Sequence, residues 1–162
     1  HPLPGVAYPT VIQQPELLDY GKAFEQHRRI ERHPPRRTGK HYGVRVPAVD
    51  ADNNERGVVR LPRVAVPVAT YTGWNLRHPA IGAQTELLSL AGSRIPFPVT
   101  PAERAQTGDP RQAVTERYAD FEDYRDRYMA VADQLVSDRY LLPEHLSGLE
   151  AIATEHRSLF KQ

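Results

Sequence analysis

The spacing of apolar residues becomes helical in the last third of the chain. From Asp109 to about Tyr140, apolar groups recur every three or four residues, which predicts one long amphipathic helix. A second helix is predicted after Leu142-Pro143, with its apolar residues on one face: Leu146, Leu149, Ile152 and Ala153.

Polar residues mark where two of these helices should begin. Asp109 is a suitable N-cap because Pro110 follows it at the first helical position. Thr100 and Glu103 have the spacing of a capping box, with Pro101 between them. We therefore expect a short helix to begin at Thr100 and the long helix to begin at Asp109.

The middle of the chain has β character. Two valine-rich runs flank "DADNNERG", which predicts a β-hairpin whose turn uses Asn53 or Asn54 at positive φ. Pro47 and Pro62 would restrict these strands to sheet edges. A third strand is predicted over 64–72, and it leads into the loop "TGWNLRHP"; a helical turn is predicted over 86–90.

The N-terminal part is rich in proline. We expect an extended arm over residues 1–20, a short helix within 15–33, and a basic segment over 27–45 in which prolines and Gly39 break regular structure. The predicted regions are an arm with a basic connecting segment (1–45), a hairpin, strand and loop region (46–100) and a helical region (101–162). Together they form one cooperative α+β unit.

Composition excludes several kinds of site. The chain has no cysteine, so disulfides, thiolate metal sites and cysteine nucleophiles are excluded. Its net charge of +1 does not indicate a nucleic-acid or membrane partner, and no apolar run is long enough to span a membrane. The chain begins "HPLPGVAYPT" and its one methionine is Met129, which suggests a processed terminus or the interior of a longer protein.

No catalytic or metal motif is present in the sequence. None of the five serines lies in a G-x-S-x-G elbow; Ser93 follows a glycine, but the second glycine is missing. The stretch "DADNNE" resembles a calcium loop but lacks the required glycine and the final acid. His145 and His156 share a helix face but lie about three turns apart, too far to hold one ion. We expect no metal and no cofactor.

The loop "TYTGWNLR" is the best candidate for binding chemistry. Trp74 offers an aromatic wall, Asn75 can donate and accept hydrogen bonds, and Arg77 can hold a carboxylate. Taken alone, however, these residues fit a tryptophan anchor with an arginine salt bridge better than a ligand site. The basic segment 27–45 offers an alternative function, a stand-alone binding module for an acidic partner.

Several long stretches resemble one family. These are "VRVPAVDADNNERGVVRLPRVAVPVATYTGWNLR", "IPFPVTPAERAQTGDPRQAVTERY" and "RYLLPEH". They are similar to the C-terminal region of bacterial "alpha/beta hydrolase domain-containing" proteins, from about Gly5 to about His145. The family usually carries Gly at the position of Asn53, and both residues tolerate positive φ.

The resemblance implies that this chain is the C-terminal part of a larger α/β-hydrolase fold. The nucleophile and the base would lie on sequence not present here, in the same or a separate chain, and the substrate would be a small-molecule ester or lactone. Tyr71, Trp74, Asn75 and Arg77 match the family motif and are implied to line the substrate pocket. His78 has no family counterpart, and it is the candidate base if the chain is an enzyme by itself. A soluble protein, in the bacterial cytoplasm or exported, is expected.

Overall fold

A computed structural model of the chain describes residues 2–8, 14–43, 45–57, 59–84, 86–88 and 90–161. The chain forms two compact units: a small unit, Pro9–Val46, and a large unit, His1–Tyr8 with Pro47–Gln162. Helices and two small antiparallel sheets make up the fold, so the expected α+β class is confirmed. The division into regions 1–45, 46–100 and 101–162 remains a prediction.

The small unit is a two-stranded antiparallel sheet with one short helix between its strands. Its elements are β1 (Glu16–Asp19), α1 (Lys22–His27) and β2 (Arg36–His41). The sequence predicted a helix within 15–33 but not the strand before it. The expectation that the basic segment has no regular structure was wrong, because part of that segment forms β2.

Side chains of β1 explain why the basic segment becomes a strand. The Glu16 carboxylate accepts hydrogen bonds from Arg37 Nε at 2.7 Å and from the Gly39 N–H at 2.8 Å. These contacts hold β2 against β1 and neutralise part of its charge. Pro34 and Pro35 precede the strand, so they remove no hydrogen bond from the β1–β2 pair.

The large unit carries most of the regular structure. Its helices and strands are α2 (Pro62–Ala65), β3 (Ala69–Thr72), β4 (Ser93–Pro96), α3 (Pro101–Thr107), α4 (Val114–Arg117), α5 (Phe121–Ser137) and α6 (Leu146–Glu155). Three 3-10 turns cover Pro79–Ile81, Pro143–His145 and His156–Phe160. The strands β3 and β4 pair antiparallel.

The predicted hairpin is present only as its turn. Asn53 has a φ of 61°, as expected, and Val49 forms a single bridge with Glu55. The predicted second strand is not found among the described residues after the turn, because Pro62 begins the short helix α2 instead. Val44 and Val58 lie outside the described residues. The predicted strand over 64–72 is shortened to β3.

The predicted long helix is interrupted. Asp120 accepts the Asp123 N–H at 2.8 Å and caps α5, so the chain leaves the helix between α4 and α5. Asp109 is not a helix cap; its carboxylate binds Arg111. The second helix, α6, is found as predicted.

The predicted cap of α3 is confirmed with one difference. Thr100 Oγ1 accepts the Glu103 N–H at 3.2 Å. The Glu103 carboxylate, however, accepts the N–H of Val99 at 2.7 Å, one residue before the position that a capping box uses. The helix start is therefore held by two reciprocal hydrogen bonds.

An aromatic core joins α4, α5 and α6 to the residues that precede β3 and follow β4. Tyr124 and Tyr128 are completely buried on α5. Around them pack further buried residues: Val66, Val68, Phe97, Val114, Tyr118, Phe121 and Ala153. The described residues contain no helix that is long and apolar enough to cross a membrane.

Candidate functional site

The loop between β3 and β4, residues 73–92, is closed at its base by backbone contacts. The Leu88 N–H donates to the Asn75 carbonyl at 2.8 Å, and the Arg77 N–H donates to the Glu86 carbonyl at 3.0 Å. Leu76 and Leu87 form a β-bridge. In place of the predicted helical turn over 86–90, residues 86–88 therefore run antiparallel to the first part of the loop.

Side chains of the flanking strands fix the first residues of this loop. Thr72 Oγ1 donates to the Trp74 carbonyl and accepts the Ser93 N–H at 3.0 Å. The Ser93 hydroxyl also donates to the Trp74 carbonyl, at 3.2 Å. A Cβ at Gly92 would lie 2.2 Å from the Thr72 carbonyl oxygen, so this close approach requires glycine.

The predicted binding residues of the loop have different surroundings. The Trp74 ring is half-buried and packs against Tyr8, with ring centroids 5.5 Å apart and planes tilted by 53°. Arg77 Nε donates to the Gly82 carbonyl at 3.2 Å, and no ion pair joins Arg77 to a carboxylate of the described residues. The tryptophan is thus anchored by a tyrosine rather than accompanied by an arginine salt bridge.

His78 is an exposed residue that caps a turn. Its Nδ1 accepts the Ala80 N–H at 3.2 Å at the start of the 3-10 turn Pro79–Ile81. Asn75 is half-buried next to Trp74 in the chain, and its backbone closes the base of the loop.

Strand β3 is held from behind by a buried amide. Asn54 is completely buried; its Nδ2 donates to the Ala69 carbonyl at 3.1 Å and its Oδ1 accepts the Tyr71 N–H at 2.8 Å. The amide thus satisfies the free edge of β3 as a neighbouring strand would. The turn containing Asn54 was predicted, but its pairing with β3 was not.

A buried ion pair holds both strands of the sheet. The Arg111 guanidinium binds the Asp109 carboxylate, with Nη2 at 2.6 Å from Oδ2. It also donates to Thr70 Oγ1, the Ile95 carbonyl and the Pro96 carbonyl, each at 2.9 Å. Burial acts to raise the pKa of Asp109, but hydrogen bonds and charge from Arg111 outweigh it and hold that pKa below its usual range.

The opposite face of the sheet carries a cluster that the sequence analysis missed. Tyr71 on β3 and Arg94 on β4 are direct partners in the antiparallel pair. The Arg63 guanidinium lies 5.8 Å from the centre of the Tyr71 ring. Behind them, on α5, lies the buried side chain of Tyr128. Tyr124 and Tyr128 lie four residues apart in the sequence, but nothing in that spacing indicates that Tyr128 packs beside Tyr71.

His156 completes the polar part of this region. Its Nδ1 lies 2.8 Å from the Tyr124 hydroxyl. Burial lowers the pKa of His156, and the charges of Arg94 and Arg63 lower it further. The neutral imidazole is therefore favoured in the folded protein.

A shallow cleft of about 370 Å³ lies on another side of the large unit. All of its charged groups are in ion pairs. Arg60 binds Asp50 at 2.6 Å, and Arg117 binds Asp52 through both of its terminal nitrogens. The other two charged groups, Glu116 and Arg127, pair with residues beside the cleft. Because these charges are already neutralised, the cleft does not favour ligands of either sign.

Comparison with known families identifies the chain's relatives. The family described as "Alpha/beta hydrolase domain" matches residues 18–151, most of the chain. The chain belongs to the alpha/beta hydrolase domain family. No curated protein and no solved structure matches it. The resemblance to this family is thereby confirmed, and membership of the family indicates a hydrolase. The C-terminal position within a longer enzyme and the bacterial origin remain predictions.

The catalytic serine of an alpha/beta hydrolase stands on a sharp turn beside its oxyanion hole. In this member of the family, none of the five serines lies in that motif. The Ser93 hydroxyl is bonded to the Trp74 carbonyl, and Ser89 lies outside the described residues.

Two other predicted kinds of site can be placed on the structure. In the small unit, Arg37 pairs with Glu16, and Arg32 pairs with Asp19, so acidic residues of β1 neutralise part of the basic segment. Within the described residues, no group of three histidine or carboxylate side chains is arranged to hold a metal ion.

Proposed function

We propose that this chain is the C-terminal part of a serine hydrolase that cleaves ester or lactone bonds. In this proposal the loop over residues 73–92 forms one wall of the acyl-binding cleft. The nucleophile and the general base belong to the remainder of the hydrolase, on the same chain or a separate one. The ester substrate is a small molecule.

One observation carries the proposal: a chain whose family is a hydrolase family contains no serine in a nucleophile elbow. Hydrolysis by a serine triad needs a nucleophile, a base and an oxyanion hole held in fixed geometry. Because this sequence has no such elbow, the proposal assigns the reacting groups to another part of the enzyme and assigns support and binding to this part.

The construction of the loop supports a role as a cleft wall. Substrate-binding groups need to be held by a rigid scaffold. Trp74 is held by Tyr8, Thr72 and Ser93, and the strand before it is held by the buried Asn54. We assign Tyr71, Trp74, Asn75 and Arg77 as the groups that contact the substrate or the catalytic residues.

Exposed apolar side chains of the same loop support a protein partner beside it. Ile81 and Leu87 are 57% and 54% exposed, and Leu90 is fully exposed. Clustered exposed apolar residues mark surfaces that contact other proteins. The partner assigned to them is the catalytic part of the hydrolase.

The proposal is tested by locating the reactive serine. Native material containing this sequence would be isolated and labelled with a fluorophosphonate, and the labelled peptide would be identified by mass spectrometry. We expect the label on a serine outside the 162 residues printed here. A Ser93→Ala variant serves as the control and should label equally well.

Two results would contradict the proposal. Labelling of one of the five serines of this chain would place the nucleophile here. Failure of the native material to react, together with tight binding to a polyanion that weakens steeply with salt, would favour the alternative function of segment 27–45 as a binding module for an acidic partner. Arg36 and Lys40, both exposed on β2, are the residues to change in that case.

A further inference from the structure

Four side chains that can donate hydrogen bonds lie close together, at one face of the β3–β4 sheet and on the helix behind it, α5. Directly opposed residues of an antiparallel pair extend from the same face, so Tyr71 and Arg94 are neighbours there. The exposed Arg63 side chain lies over the Tyr71 ring. Tyr128, on α5, lies beneath them and is completely buried.

These donors have no acceptors. The Tyr71 and Tyr128 hydroxyls, both shielded from solvent, have no hydrogen-bond acceptor among the described residues. The one side chain that interacts with the Tyr128 hydroxyl through a hydrogen bond is Arg63, which can only donate to it. Likewise, no carboxylate in the described part of the chain forms an ion pair with Arg63 or Arg94. Buried hydroxyls in proteins are nearly always bonded, so two adjacent exceptions beside two unpaired cations need an explanation.

We propose that Arg63, Tyr71, Arg94 and Tyr128 form a binding site for the carboxylate group of a small organic acid. A carboxylate only accepts hydrogen bonds, and it offers its two oxygens to guanidinium and hydroxyl donors together. The ring of Tyr71 supplies an apolar wall for the rest of the acid.

Neighbouring groups fit this assignment. Burial raises the pKa of Tyr128, so its hydroxyl keeps the proton that it would donate; the charge of Arg63 and a hydrogen bond from its guanidinium oppose this rise but do not cancel it. The negative charge of Glu155 also raises the pKa of Tyr128. Because Glu155 offsets part of the positive charge, a monoanion such as a carboxylate suits the site better than a doubly charged phosphate.

The Tyr124 hydroxyl is not part of the site, because it is already bonded to His156. The Tyr118 hydroxyl is also occupied; it donates to the Pro67 carbonyl at 2.9 Å. These two tyrosines lie in the same aromatic core as Tyr128. They therefore provide controls, because their buried hydroxyls already have acceptors or bonded partners and that of Tyr128 has no acceptor.

The test uses sodium benzoate as the acid and benzamide as its uncharged analogue. Calorimetric titration of the native protein should show saturable benzoate binding, with benzamide at least about tenfold weaker. Arg63→Gln and Arg94→Gln should each weaken benzoate binding about tenfold. Arg56→Gln, which changes another exposed arginine, should leave it unaltered.

Tyrosine variants give a second readout that does not depend on ligand. Tyr128→Phe removes a buried hydroxyl whose proton has no acceptor, so the ligand-free protein should unfold at an equal or higher temperature, while benzoate binding weakens. Tyr118→Phe removes a bonded hydroxyl, so it should lower the unfolding temperature and leave benzoate binding unchanged.

Tyr71 belongs both to this site and to the proposed cleft wall, but the other three donors of the site do not depend on the hydrolase assignment, and the experiment separates the two proposals. Benzoate could also bind in an acyl cleft as a reaction product. Protein whose reactive serine is blocked by a fluorophosphonate should therefore still bind benzoate with the same affinity. Loss of binding after blocking, equal affinity for benzamide, or full affinity in Arg63→Gln and Arg94→Gln would each overturn the carboxylate site.

Discussion

The side-chain oxygen of Asn54, a completely buried residue, accepts the backbone N–H of the half-buried Tyr71 at 2.8 Å. The nitrogen of the same amide donates to the Ala69 carbonyl. One side chain thus replaces a strand at the edge of β3, immediately before the loop that carries Trp74. The position of the proposed cleft wall therefore depends on a residue in a turn that is distant in sequence.

Replacing Asn54 should destabilise the large unit strongly. In Asn54→Ala the buried Ala69 carbonyl and the partly buried Tyr71 N–H both lose their partner, and the free energy of unfolding should fall by about 2–4 kcal/mol. Chemical denaturation measures the change. Asn75→Ala is the control: no hydrogen bond of its side chain is found within the described residues, and its effect should stay below about 0.5 kcal/mol. Equal losses of unfolding free energy in the two variants would show that the hydrogen bonds of the buried amide do not stabilise β3.

Acid should weaken the protein through Asp109. Its pKa is lowered in the folded state, so the stabilisation is complete above the unfolded pKa and is lost as pH falls below about 4. The difference in unfolding free energy between wild type and Asp109→Asn should therefore be large near pH 7 and shrink between about pH 4 and pH 2. Asp133→Asn, at an exposed position on α5, should show no such convergence.

Local signals predicted some elements of this fold correctly. The Thr100 cap, the positive φ of Asn53 and helix α6 each depend on residues within a few positions of one another. The break between α4 and α5 was also encoded locally, by Asp120, but the continuous apolar spacing across it was a stronger pattern. Helix periodicity alone therefore overestimates helix length where a capping residue lies inside the pattern.

A second pH effect should appear near neutrality and originate from His156. Its pKa is lowered in the folded state, so the unfolded chain binds the proton more readily. Stability is then complete above the unfolded pKa of about 6.5 and declines as pH falls toward the lower folded value. Denaturation curves between about pH 7.5 and pH 5 should show this decline in wild type and a flatter profile in His156→Gln. His145→Gln, which changes an exposed histidine at the start of α6, should retain the wild-type profile.

The candidate site was only partly predictable, because its groups meet through long-range contacts. Arg111 reaches Thr70 across 41 positions, and the Tyr118 hydroxyl reaches the Pro67 carbonyl across 51. The sequence pointed to the loop through its unusual side chains. It could not reveal that Tyr71 stands opposite Arg94, since the register of β3 and β4 depends on a loop of about twenty residues whose closure has no sequence signature.

Trp74 provides the most direct test of the proposed cleft wall. In the active enzyme that contains this chain, Trp74→Ala should raise KM about tenfold and change kcat less than about twofold, because a wall residue binds the ground state and the transition state alike. Trp74→Phe should retain most of the affinity, since the aromatic contact with Tyr8 can persist. Tyr140→Ala, which removes an exposed ring after α5, is the control and should leave both constants unchanged.

Trp74 is also the only tryptophan of the chain. In a variant enzyme whose other tryptophans are replaced, its fluorescence should therefore change as a substrate analogue saturates the site. A variant with unaltered KM, together with fluorescence that does not respond to the analogue, would remove the loop from the binding cleft. A fall in kcat at constant KM would instead mean that the loop acts on the reacting groups.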